Sequence, residues 1–443
     1  MDHLYENVTQ LSTFETVAGY GFGPLANKSW LAWIITIISA VGLWGVLCSI
    51  LRFRNEKAML QRFGYSDRAM MAKMTNDDAQ KILQYIITYE FPLMYKLSLQ
   101  FGIFKTSRLA STHIVQTYGF STVSSLLAKT KSFSDPRSAP KRYEDTSVIF
   151  SEFSLNPPTS DRCLNAIARM NHLHNPYKKS AKISNEDLLY TLAVCVMEPI
   201  RFIRLYEWRA PNDMEVCAIG TFWRGIGDAM EIDYEGYLAQ NSWADGIEFA
   251  EDITRWAKNY EVEAMKPHPD NRKLADALVD MLLFFVPKLM QPSALQILTV
   301  LMGDRMREAF LYPEPGIFAA FMAFGLLGAR RVILRYFCLP RLKSMTFFSE
   351  PDPQTGRIHH FDYLVTPYYN KPTFWSRWGP MALVVRLSGG MVPGATETLP
   401  DGFLPTDLGP EHRMGKGLED MKSEIARMKE TRTSGCPFAS RFS

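Results

Sequence analysis

A mainly α-helical protein with one N-terminal transmembrane helix and a helical-bundle body is the fold class predicted by three features of the sequence. Residues Trp30 to Leu51, WLAWIITIISAVGLWGVLCSIL, contain no charged side chain. At about 1.5 Å per residue such a helix crosses a bilayer core of roughly 30 Å. After this run, apolar residues recur at helical spacing, and several recurrences open with Ser or Asn placed as N-caps. Strand-like alternation is scarce, so the body reads as helices packed on helices.

The first 29 residues form a short polar segment bearing Asp2, Glu6 and Glu15. A cleaved signal peptide would instead carry a short apolar core behind positive charge, so the run at 30–51 reads as a retained anchor. Arg52, Arg54 and Lys57 follow it, whereas only Lys28 precedes it. The positive-inside rule then places residues 1–29 in the lumen and the body in the cytosol. Trp30, Trp33 and Trp44 suit a lipid-facing helix, and the sequons at Asn7 and Asn27 lie on the predicted lumenal side.

The chain has 443 residues and a net charge of +3, with no basic run, which argues against a nucleic-acid partner. Six scattered cysteines show no C-x-x-C or zinc-like spacing, as suits a reducing compartment. Residues 64–346 are predicted to form the helical domain. Asp77–Leu97 has helical periodicity. Ser160 and Asp161 can cap a helix ending before Pro176. Ser184 with Asp187 opens a helix that Pro199 would kink or break, and Asn212 caps another. Further apolar helices are predicted over 274–285, 295–310 and 317–336. The 316–327 stretch reads as a buried core helix, with a second membrane contact as the alternative. Residues 347–443, richer in Pro and Gly, are expected to wrap irregularly over the bundle, with a charged surface helix at 416–431.

Two clusters carry candidate chemistry. His172 and His174 point roughly 200° apart on a helix, so they cannot share one metal. His174 falls on the face of Leu164, Ile167 and Asn171, which makes it the inward member. An inward His is either a hydrogen-bonded core residue or a ligand. His359 and His360 sit in a polar stretch that reads as a solvated turn. In Lys141-Arg-Tyr-Glu-Asp-Thr146, Arg142, Asp145 and Thr146 share one helical face, while Tyr143 and Glu144 point away. H-E-x-x-H, G-x-S-x-G, Walker and G-x-G-x-x-G motifs are absent, which removes several common enzyme classes.

These segments belong to a longer series: YEFPLMY, KRYEDT, KISNEDLLYTLAV, EPIRFIRLYEWR, VCAIGTFWRGIGDAM, PDPQTGR, PYYNKPTFWSRWGP and a terminal CPF. In that ordered series, from about residue 64 to 438, the chain resembles the fungal ER-bound oxygenases of the MpaB type from mycophenolic acid biosynthesis. Those are distantly related to bacterial rubber oxygenase, the latex clearing protein. The resemblance implies a mainly helical domain binding haem b, with O₂ as co-substrate. In the rubber enzyme an R-x-x-x-T helix supplies the distal face of the haem and a later His the axial ligand. Arg142 and Thr146 match that pattern, and His174 follows 32 residues after Arg142. The position before the Thr is a lysine in the rubber enzyme and Asp145 here. A second R-x-x-x-T, Arg108 to Thr112, falls in an insertion over 107–116 and is set aside as a site. The resemblance thus implies His174 as haem-iron ligand, with Arg142, Asp145 and Thr146 as catalytic residues. It further implies oxidative cleavage of a C=C bond in the isoprenoid chain of a prenylated intermediate at the ER membrane, giving an aldehyde or acid and a small ketone. The apolar helices around Val194 and Phe222 would line the chain's pocket. Oxidation of another lipid, or a non-catalytic haem-binding or scaffolding role, are the alternatives.

Overall fold

The computed structural model describes residues 30–106, 139–395, 398–431 and 435–438. The sequons at Asn7 and Asn27 and the second R-x-x-x-T at Arg108 lie outside these. Among the described residues the protein is helical throughout, with two isolated β-bridges, Phe348–His360 and Ile358–Phe403, and no strand.

Two compact units are present. One comprises residues up to Glu56 together with Val332–Pro340. Its main element is α1 (Trp30–Phe63) as far as Glu56; this helix continues beyond the apolar run into a charged stretch. Its apolar side chains are exposed, with Trp30, Leu43 and Ile38 more than 60% open. In this unit the Trp44 indole donates to the Phe337 carbonyl at 3.1 Å. Arg52 donates to the carbonyls of Cys338 (3.0 Å) and Leu339 (3.3 Å). Carbonyls just beyond a helix end have lost their intrahelical partners, and these two side chains replace them.

The second unit holds residues 57–331 and 341–443. Its core is built from α2 (Asn76–Tyr85), α3 (Pro92–Thr106), α4 (Ala139–Leu155), α5 (Asp161–Lys179), α6 (Asn185–Tyr206), α7 (Asp213–Ala229) and α8 (Gly246–Ala264). The predicted 77–97 helix is interrupted: a π-helical turn at Ile86–Glu90 and the break at Phe91–Pro92 divide it. The predicted caps form. Ser160 caps α5, and reciprocal capping boxes open α6 (Ser184 with Asp187) and α7 (Asn212 with Glu215). Both internal prolines are carried within helices: α5 runs past Pro176 to Lys179, and α6 past Pro199 to Tyr206. Pro176 lies in the last turn, where one missing N–H costs little and the Ser180 hydroxyl and amide both bond its carbonyl.

α3 packs along α6, and α7 lies between α2 and α8. The α7–α8 approach is close enough that a Cβ on Gly220 would sit 1.9 Å from the Gly246 carbonyl oxygen, so both positions exclude side chains. Next come α9 (Pro269–Leu282) and α10 (Gln291–Met302). The predicted 295–310 helix is cut at Gly303, whose φ of +77° suits glycine; a short helix, Asp304–Ala309, follows.

The helix α11 (Ile317–Tyr336) has its predicted bounds, but the expectation of a buried core helix is overturned. Only Ala319 and Ala323 are buried, while Ile317, Phe318, Phe321 and Phe324 are exposed. Its length and hydropathy suffice to cross a membrane, as do those of α1. Residues 347–438 form short elements: α12 (Phe374–Trp378), α13 (Pro380–Leu387), two 3₁₀ turns and α14 (Leu418–Thr431), which packs on α5. The fully buried Arg169 of α5 fastens this region by donating to the carbonyls of Leu408 (2.7 Å), Lys416 (2.6 Å) and Arg413 (3.0 Å).

Candidate functional site

The helices α3, α4, α5 and α6 enclose a cavity with about 300 Å³ open to the centre of a water molecule. Its wall is mostly apolar, including Leu99, Ile103, Phe150, Phe153, Leu188, Leu192 and Val194. A few polar groups converge on it, the pattern of a small-molecule site. Val194 lines the cavity as expected. The helix around Phe222, α7, also reaches the wall, through Trp223 and Ile226, while Phe222 itself is buried in the core.

α4 contributes Arg142, Tyr143, Thr146, Ser147 and Phe150. This stripe differs from the predicted face. At ~100° per residue, Asp145 lies about 140° round the helix from Phe150 and points out of the cavity. There it accepts from the Lys141 ammonium (2.8 Å), the Gly409 amide (3.0 Å) and the Tyr369 hydroxyl. Burial raises its pKa, and Lys141 is the largest opposing influence. Tyr143, expected to point away, lines the wall and accepts from Gln100 at 2.7 Å. The Thr146 hydroxyl donates back to the Arg142 carbonyl at 2.8 Å. Desolvation lowers the Arg142 pKa, partly offset by Asp145 and Tyr177.

α5 separates its two histidines as helical geometry requires. His172 turns to the α14 side, its Nδ1 3.0 Å from the Asp420 carboxylate. His174 lines the cavity, half-buried, and its Nδ1 is a buried nitrogen with no hydrogen-bond partner. Desolvation, then the charges of Arg142 and Lys178, pull the imidazole down to about 4, so it is neutral at physiological pH. A neutral imidazole is the form that ligates metal. Among the described residues no three His, Cys, Asp or Glu side chains cluster as a metal cage. The wall therefore offers the His174 imidazole within an apolar chamber, with Arg142, Arg413 and Lys96 as cations; a second wall imidazole, His360, has its Nδ1 engaged by Glu144. That donor set suits haem, which brings its own four nitrogens and needs one axial ligand and partners for its two carboxylates. Cys195 also lines the cavity, but burial pushes its thiol well up and it acts as neutral wall.

His360 was expected to be a solvated turn residue; it is buried and on the cavity wall. Its Nδ1 meets Glu144 Oε1 at 2.6 Å, which also buries Glu144, a residue expected to point outward. Burial raises the Glu144 pKa, and His360 counters it. Lys96 and Asp362 form an ion pair at the same wall. Sequence reasoning missed His360, Asp362 and Lys96 because they lie on segments far apart in the chain. The one available signal was that PDPQTGRIHHFDY, like the α4 segment, joins charge and aromatics within one string.

No protein-family model matches the chain. Curated relatives do. An ER-bound oxygenase mpaB' from Penicillium brevicompactum is 38% identical over 423 residues, 94% of this chain and 96% of the relative. An ER-bound oxygenase mpaB from the same organism is 35% identical over 405 residues, 90% and 91% of the two chains. A third, ER-bound oxygenase mpaB from Penicillium roqueforti (strain FM164), is 40% identical over 279 residues, 62% of this chain and 90% of the relative. With identity at this level along nearly its whole length, the chain belongs to the MpaB family of ER-bound oxygenases.

Proposed function

We propose that the protein is a haem b-dependent oxygenase that cleaves a C=C bond in the isoprenoid side chain of a prenylated small molecule at the ER membrane. One observation carries the reading: the neutral imidazole of His174, whose buried Nδ1 has no hydrogen-bond partner, lines an apolar cavity that Arg142 and Thr146 also line. His174 would hold the haem iron, and Arg142 with Arg413 or Lys96 would hold its carboxylates. When bound, the haem supplies one-electron and O₂ chemistry.

The protein's own part is binding, orientation and proton handling. Apolar walls from α3, α4 and α6 accept a prenyl chain and exclude water. Arg142 places fixed positive charge in a low-dielectric space, where it stabilises developing negative charge on oxygen. Thr146, its hydroxyl hydrogen committed to the Arg142 carbonyl, presents an oxygen to the cavity and fixes the helix turn that carries Arg142. Glu144 orients His360, the wall group suited to exchange a proton through its imidazole. Asp145 acts from outside the wall, by fixing α4 and by its charge near Arg142. The net reaction is balanced by O₂ alone: each alkene carbon ends as a carbonyl, one aldehyde and one ketone, carrying one oxygen atom apiece. An anchor such as α1 keeps the enzyme where such a lipophilic substrate dissolves, with the body on the cytosolic side.

The test is the absorption spectrum of detergent-purified protein with haem quantified, beside His174→Ala. Near-stoichiometric haem b that falls sharply in the variant is expected. A colourless wild-type protein that cannot be reconstituted with haem overturns the reading. Oxygen uptake by the reduced holoprotein should then require a prenylated aromatic substrate.

A further inference from the structure

The string PYYNKPTFWSRWGP and the residues after it fold into α12 and α13, two short helices joined at Gly379–Pro380. Thr373 caps the first with Ser376, and Pro380 starts the second. A helix on a protein–water surface buries an apolar stripe and shows a polar face. Here the buried stripe exists, as Ala382 and Val385, but the outer face is apolar too. Trp375 is 73% exposed, Met381 74% and Leu387 79%, with Phe374, Trp378 and Leu383 also open. The polar residues are Ser376, Arg377, Arg386 and, just before, Lys371 and Thr373. The Arg386 guanidinium lies 4.4 Å from the Trp378 ring. A second exposed apolar group adjoins: a Cβ on Gly390 would touch both Val385 and Phe285, and Phe285 belongs to the turn carrying exposed Leu289 and Met290.

Exposed Trp, Phe and Leu interleaved with Arg and Lys, and no acidic residue over 371–387, is the composition of segments that lie in the headgroup region of a bilayer. A chain carrying the α1 anchor holds lipid within reach at all times, so a weak interfacial element becomes effective through high local concentration. We propose that Phe374–Leu387 is a further membrane contact, inserted into the phospholipid interface independently of the N-terminal helix. The proposal rests on α1 being a membrane anchor, and the experiment separates the two.

Full-length protein is reconstituted in phosphatidylcholine nanodiscs with a nitroxide label at one site. The sites are Met381→Cys, Leu387→Cys, Val41→Cys in α1, and the exposed control Glu251→Cys. Cys338→Ser and Cys436→Ser remove the two cysteines that are not buried. All four labelled sites are exposed or partly so, which leaves the core intact. Labels at 381 and 387 are expected to resemble Val41, with collisions with dissolved O₂ enhanced several-fold over collisions with a polar nickel chelate, relative to Glu251. If 381 and 387 match Glu251 while Val41 is shielded, the proposal falls and the anchor stands. If all four are wet, both fall. Shielding from both reagents, with spin–spin broadening that grows with protein-to-lipid ratio, assigns the face to a second copy and also overturns the proposal.

Discussion

His174, proposed as the haem-iron ligand, and Asp145, held in a buried ion and hydrogen-bond network, call for different tests. His174 has its folded-state pKa pulled from 6.5 to about 4. Between those values the unfolded chain binds the proton and the folded chain does not. Stability of the haem-free protein should therefore be intact above pH ~6.5 and fall as pH drops toward about 4. Urea midpoints across this window should decline more steeply for wild type than for His174→Gln; parallel curves would remove the His174 contribution. Asp145 is held by Lys141, Tyr369 and Gly409. Asp145→Asn leaves the Lys141 charge buried without its counter-ion, at a cost of about 3–5 kcal/mol. A large loss of thermal stability with haem retained in the folded fraction is expected, whereas Arg142→Ala should keep its fold and lose turnover. Equal turnover per folded molecule in Asp145→Asn confines Asp145 to architecture.

Among the helices, close approach and carbonyl satisfaction set the vulnerable points. Gly220 in α7 meets the Gly246 backbone where α8 begins, and backbone cannot yield as a flexible side chain can. Gly220→Ala should destabilise by about 3 kcal/mol or more, read as a lowered urea midpoint. Gly236→Ala serves as the comparison with open space around it; its φ of +77° strains the new side chain without a clash. In the first unit, Arg52 donates to two carbonyls beyond the end of α11. Arg52→Ala leaves both without that donor, at a cost on the order of 2 kcal/mol. Faster protease cleavage near residues 337–340 in reconstituted protein is the expected sign.

At the scale of the whole molecule, the chain combines α1, a helix long and apolar enough to cross a bilayer, with a mostly apolar cavity in the helical body. Microsomes carrying the protein should retain it through alkaline carbonate washing. Protease added outside sealed microsomes should remove the C-terminal epitope if the body is cytosolic. Protection of that epitope would reverse the proposed orientation while leaving the cavity argument untouched. Buried ion networks hold the helices of the body together at several points. Glu90 of YEFPLMY accepts from the Trp208 indole at 3.0 Å, and Arg209 clasps Glu215 at 2.7 Å. Glu198 of EPIR meets Lys105 at 2.9 Å and Arg201 at 2.6 Å. Those residues weld helices together, so they serve the chamber's shape and not its chemistry.

The long apolar helix near the N-terminus, the helical class, the caps at Ser160, Ser184 and Asn212, and the opposed directions of His172 and His174 are all legible in the sequence. Each depends on residues within a few positions of one another, where helical geometry alone decides. Helices carried through Pro176 and Pro199, and the break at Gly303, were decided by packing and by φ, which local propensity only biases. The arc of α4 that faces the cavity differs from the one helical spacing predicts, because it depends on how α5 and residues 347–413 pack against it. That packing turns Asp145 outward to Tyr369 and Gly409 and brings His360 in against Glu144, 216 residues away. Likewise, an apolar helix such as α11 carries the same letters whether buried or bare. Only the tertiary structure, by filling the core with other helices, leaves its aromatic face exposed.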